Sequence, residues 1–109
     1  SHGERQWLEI GMVLAAAPRL LLLDEPTAGM TAPETAATVD LIRDIASSGD
    51  VAVLVIEHDV GFLARLDCAV TVMAKGKILR TGSFADMRAD ADVRALYFGT
   101  AMAGEASDA

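Results

Sequence analysis

The sequence predicts an α/β fold, a mostly parallel sheet with flanking helices and a C-terminal hairpin. Three observations carry this. Two short apolar runs, the four leucines at 20–23 and residues 51–56, read as strands buried on both faces. The stretch between them patterns as one amphipathic helix, which makes a βαβ unit with parallel strands. Each run then ends in polar residues, Asp24-Glu25 and Glu57-His58-Asp59. Parallel strands open on the same edge, where α/β sheets bind ligands.

Size and charge narrow the class. At 109 residues the chain allows one domain at most. Apolar residues make up 52% and charged residues 23%, a globular balance. Net charge is −7 with no Lys/Arg cluster, which argues against a nucleic-acid partner or an anionic-membrane patch. The apolar runs are too short to span a bilayer. A single cysteine, Cys68, rules out an internal disulfide and suits a reducing compartment, so a cytoplasmic setting is expected.

Taken in order, Ser1-His2-Gly3-Glu4 has the spacing of a capping box, followed by a helix to about Ala17 that is apolar nearly all round beyond Glu9 and is expected to be buried. Its start presents free N–H groups and a positive dipole end, a ready place for a phosphate, although such caps also simply begin core helices. Leu20-Leu21-Leu22-Leu23 follows as a strand, stopped by Pro26. Thr31 and Glu34 repeat the capping spacing, with Pro33 in the first turn. Val39, Ile42, Ile45 and Ala46 form one helical stripe. Asp59 caps a short helix over 62–66; residues 69–73 form a strand, Lys75-Gly76-Lys77 a turn and 78–81 the hairpin return. Gly82-Ser83 opens a helical region ending in a helix over 91–98, with Val93, Leu96 and Tyr97 facing inward. The tail at 100–109 is expected to be frayed.

Acids at a buried strand end suit magnesium and water. Asp24 can hold a hard cation, directly or through a bound water. Neighbours on a strand point to opposite sides, so Glu25 is better placed to orient or deprotonate an attacking water. His58 can donate to a phosphate oxygen as charge builds on it, or can be a structural histidine. A transition-metal site from Glu57, His58, Asp59 and Asp24 lacks the usual ligand spacing. A Cys68–His58 nucleophilic pair is disfavoured because Cys68 opens a buried strand.

These motifs, in this order, resemble the C-terminal part of the nucleotide-binding domain of ABC transporters, a P-loop NTPase fold. Ser1-His2-Gly3-Glu4-Arg5-Gln6 is similar to the ABC signature, usually Leu-Ser-Gly-Gly-Gln. Leu20 to Glu25 resembles Walker B with its catalytic glutamate, Ala28-Gly29-Met30 the D-loop, and His58 the switch histidine. The resemblance covers residues 1–109 in register. The variant forms of the signature, of Glu25-Pro26 to Gly29-Met30 and of Glu57-His58-Asp59 are similar to urea importers and their relatives, the branched-chain amino acid importers.

The resemblance implies a mechanism. Two such domains close around ATP and Mg2+, with Ser1, His2, Gly3 and Glu4 meeting the γ-phosphate in trans and Gly29 and Met30 lying in the D-loop. Asp24 would serve magnesium, Glu25 the water and His58 the γ-phosphate. Transmembrane permease subunits would hold the ATPase on the inner face of the membrane. Three departures stand out: His2 replaces a glycine, Glu4 replaces the glutamine, and the D-loop lacks its aspartate. No Gly-rich Walker A loop or Q-loop occurs in the 109 residues, so the chain is expected to start beyond them and not to hydrolyse ATP alone.

In this family the Walker A strand lies between the His58-bearing strand and strand 69–73. Its absence leaves apolar edges, from which a homo-oligomer or direct pairing of those two strands is expected. Two other functions remain open: a non-catalytic module that pairs with ABC domains, and a non-transport ABC ATPase.

Overall fold

The computed structural model describes residues 1–98, so the expected fraying at 100–109 lies outside the described residues. Two compact units divide the chain after Leu66.

The first unit begins with α1 (His2–Leu14), capped by Ser1, whose hydroxyl accepts the Glu4 N–H at 3.2 Å. Strand β1 (Leu20–Asp24) runs parallel to β2 (Ala52–Ile56), with Leu20 opposite Ala52 and Asp24 opposite Ile56. Between them lies α2 (Ala32–Ser47), started by a reciprocal capping box between Thr31 and Glu34 with Pro33 in the first turn. Helix α3 (Val60–Leu66) follows β2, and Asp59 Oδ1 accepts the Phe62 N–H at 3.0 Å, the cap expected there. The core joins Ile10, Leu21, Leu23, Val39, Ile42, Ile45, Phe62 and Leu66. Of the expected α2 stripe, Ala46 alone is exposed. Thr38 takes a place on the buried side, where its hydroxyl accepts the Trp7 Nε1–H at 2.8 Å and donates to the Glu34 carbonyl at 2.8 Å.

Two expectations of double-sided burial fail in this unit. Strands β1 and β2 have one covered face: Leu20, Leu22, Leu54 and Ile56 are 52%, 65%, 56% and 56% exposed. The register sets these residues side by side, because a period of two puts alternate residues on one surface. Helices cover only the side that carries Leu21 and Leu23. Helix α1 likewise buries Gly3 and Ile10 while Leu8, Met12 and Val13 stay exposed. It packs on α2 along one stripe, so its all-round apolar character exceeds the surface available to cover it.

In the second unit, β3 (Ala69–Ala74) and β4 (Lys77–Ser83) form an antiparallel hairpin. Its two-residue loop, Lys75-Gly76, has positive φ at both positions, as a type I′ turn requires. Leu79 is the extra residue of a bulge opposite Val72 and Met73. Helix α4 (Phe84–Ala89) is capped by Ser83 and Asp86, and Asp90 caps α5 (Ala91–Val93). The hydrogen bond from the Val93 N–H, with Arg80 beside it, holds the Asp90 carboxyl below its usual value. From Arg94 to Phe98 the chain winds as a π-helix. That rotates the faces, so Leu96 and Tyr97 are exposed instead of inward, while Val93 is buried. The Tyr97 hydroxyl donates to the Met73 carbonyl at 2.7 Å.

The first unit thus holds the short parallel sheet, β1 with β2, flanked by helices, and the second unit the expected hairpin, β3 with β4.

Candidate functional site

The site forms where β1 and β2 end together. The Glu25 N–H donates to the Ile56 carbonyl at 2.7 Å, extending the parallel ladder one step past Asp24. There the backbone of Glu25 turns left-handed, with φ at +48°, a conformation that costs a non-glycine residue roughly 1 kcal/mol. The bend leads into Pro26 and Thr27, both buried, and a turn closed by the Ala28 N–H on the Glu25 carbonyl at 3.1 Å. Beyond the bend the Glu25 side chain meets its neighbour from β2: Oε1 lies 3.0 Å from His58 Nε2, both side chains being substantially exposed. Asp24 ends β1 exposed beside this pair.

A second carboxylate ties the two loops together. Glu57 Oε2 accepts from the Thr27 hydroxyl at 2.8 Å and the Thr27 N–H at 3.3 Å, while Oε1 accepts the His58 N–H at 3.1 Å.

The expected phosphate-facing helix start is arranged differently from its reading in the sequence. Its N–H groups are not all free. Glu34 Oε2 accepts the Ser1 hydroxyl at 2.8 Å and the Gly3 N–H at 2.9 Å, and Oε1 accepts the Thr31 N–H at 3.1 Å. The Thr31 backbone bond first, then the Ser1 hydroxyl, lower the Glu34 pKa to about 2. A Cβ on Gly3 would meet that carboxylate, so a larger residue there would push the end of the Glu34 side chain aside. Glu4 is exposed. Gly29, at φ +75°, faces His2: a Cβ there would stand 3.4 Å from the imidazole ring. Met30 is half-buried, its sulfur 3.2 Å from the Thr38 hydroxyl.

The structure therefore brings Glu25 to His58, and Gly29 to His2. Ser1 and Gly3 meet through Glu34, which the sequence offered only as a helix cap. Glu57 and Thr27 carried no sequence signal for bridging the strand ends. Cys68 is exposed and precedes β3, instead of opening a buried strand. Among the described residues no group of three His, Cys, Asp or Glu could hold a metal ion. Partial burial, with Asp67 adjacent, raises the Cys68 thiol above its ordinary pKa, which disfavours the thiolate. Asp24 presents one exposed carboxylate at the end of β1, an oxygen donor of the kind a hard cation takes. Among the described residues no helix is long and apolar enough to cross a membrane.

No protein-family model matches the chain. Curated relatives do. The high-affinity branched-chain amino acid transport ATP-binding protein BraF of Pseudomonas aeruginosa is 35% identical over 101 residues, 93% of this chain and 40% of that protein. The oligopeptide transport ATP-binding protein OppD of Bacillus subtilis is 39% identical over 83 residues, 76% of this chain and 23% of that protein. The peptidoglycan transport ATP-binding protein YejF of Agrobacterium fabrum is 39% identical over 83 residues, covering 76% and 15% respectively. The chain spans between 15% and 40% of the length of these relatives. Over most of its length, then, this chain is a homologue of ABC transporter ATP-binding proteins.

Proposed function

We propose that residues 1–109 form the C-terminal portion of an ABC importer's ATP-binding domain, contributing half of a site for ATP hydrolysis. The observation that carries this is the 3.0 Å approach of Glu25 to His58 across the ends of adjacent parallel strands. Glu25 orients or deprotonates the attacking water, and His58 donates to the γ-phosphate. Asp24 contributes an oxygen to magnesium, which neutralises charge on the phosphates when bound. Ser1, His2, Gly3 and Glu4 meet the nucleotide of a second ATP-binding domain, with Gly29 and Met30 in the loop between the two.

The chain alone carries no Gly-x-x-x-x-Gly-Lys-[Ser/Thr] run, so phosphate cradling needs a further segment. The exposed leucine face of β1 and β2 supports the same view, since parallel sheets are covered on both sides. That segment is the occupant we assign to the face in the complete subunit. Permease subunits carry the solute, and the ATPase sits beneath them on the cytoplasmic side. The name of BraF supports a branched-chain amino acid cargo. Urea rests on the motif variants alone.

The test is ATP hydrolysis by a subunit that joins this chain to a Walker A half. Glu25→Gln is expected to lower kcat by roughly 100-fold or more. Equal rates with and without the substitution would sink the assignment.

A further inference from the structure

The loops that leave β1 and β2 are held together by a side chain with no assigned role. Glu57 is half-buried, and both of its oxygens are committed to protein donors: Oε2 to the hydroxyl and N–H of Thr27, Oε1 to the N–H of His58. Thr27 lies two residues beyond Glu25 and is buried, so its hydroxyl has little access to water as a substitute partner. The Thr27–Glu57 bridge and the Glu25–His58 contact therefore close one ring across the strand ends. One side of the ring is buried and the other is open.

We infer that Glu57, acting through Thr27, is the positioning residue that fixes the spacing of Glu25 and His58. It touches neither of their facing atoms. A carboxylate suits the task because only an ionised acid accepts at both oxygens, once from each loop. Aspartate, one methylene shorter, would not span the same gap. The exposed pair on the outer side has no comparable restraint of its own: surface ion pairs order side chains weakly. Its geometry is inherited from the backbone positions that Glu57 sets. Any consequence for turnover rests on the reading of Glu25 and His58 given above, whereas the positioning does not.

Thr27→Val is the discriminating variant. It removes the hydroxyl and leaves every charge in place, so a change at His58 cannot come from altered electrostatics. Thr27→Ser restores the hydroxyl. In NMR spectra of the 109-residue chain, cross-peaks between the Glu25 side chain and the His58 ring are expected in the wild type and in Thr27→Ser. They should disappear in Thr27→Val, with the other core resonances unmoved. Glu57→Gln serves as a second variant and should behave like Thr27→Val. Retained Glu25–His58 cross-peaks in both disruptive variants would overturn the inference.

The functional consequence is read separately, in a subunit that includes a Walker A half. There, Thr27→Val should lower kcat by roughly 10- to 100-fold with KM for ATP unchanged, as expected for misplaced groups rather than lost binding. Thr27→Ser should restore kcat. Failure of the phosphoryl-transfer reading itself would appear as indifference to Glu25→Gln, which leaves the NMR result standing.

Discussion

The carboxylate of Glu34 accepts the N–H of Gly3 at 2.9 Å, joining the start of α2 to the start of α1 across 31 residues of chain. The same oxygen holds the Ser1 hydroxyl. Two helix N-termini, each with unpaired donors, are thus satisfied by one negative charge, and their dipoles favour it.

Acid should undo this junction. The folded pKa of Glu34, about 2, lies below the ordinary value of 4.5, so its contribution is complete above pH 4.5 and is lost as pH falls toward 2. Thermal melts between pH 6 and pH 2, taken as rough limits, should show a falling Tm in that window. Glu34→Gln should flatten the slope and lower the plateau near neutrality. A wild-type slope unchanged in Glu34→Gln would place the acid sensitivity elsewhere.

Gly3 and Glu34 should be coupled. Gly3→Ala pushes the end of the Glu34 side chain aside and is expected to lower the urea midpoint modestly. Glu34→Ala clears the space, so the double variant should cost less than the sum of the two single ones. Strict additivity would show that the collision has no energetic consequence.

Thr38 is fully buried and binds the indole of Trp7, the only tryptophan in the chain. Thr38→Val keeps the shape but strands the Trp7 Nε1–H, at a cost of about 1–2 kcal/mol. Tryptophan fluorescence reports both the local change and the unfolding midpoint.

Self-association of the isolated chain should depend on Leu22 and Leu54, neighbours in register on the uncovered face of β1 and β2. Sedimentation should show oligomers in the wild type and a shift to monomer in Leu22→Glu with Leu54→Glu. A wild-type monomer at high concentration would remove the homo-oligomer proposal.

Local rules made much of the fold legible. Thr31 and Glu34 announced a helix start, Lys75-Gly76 a tight hairpin and Asp59 a cap, because each depends on residues three or fewer apart. The four leucines gave a strand correctly but its burial wrongly. Alternation says nothing in a run where every residue is apolar, and only packing shows that Leu22 is uncovered. The pairing of Glu25 with His58 was legible in outline, since parallel strands end on one edge. The bridge from Glu57 to Thr27 was not. It spans 30 residues and depends on a buried hydroxyl, a combination that leaves no periodic trace.

The left-handed backbone at Glu25 has a practical consequence for anyone engineering this chain. Glycine enters that conformation without the steric penalty a Cβ incurs. A screen that rewards only thermal resistance or expression yield will therefore enrich Glu25→Gly, and its winners will lack the carboxylate that faces His58. Libraries built on this sequence should keep position 25 fixed, or be selected for turnover as well as for yield.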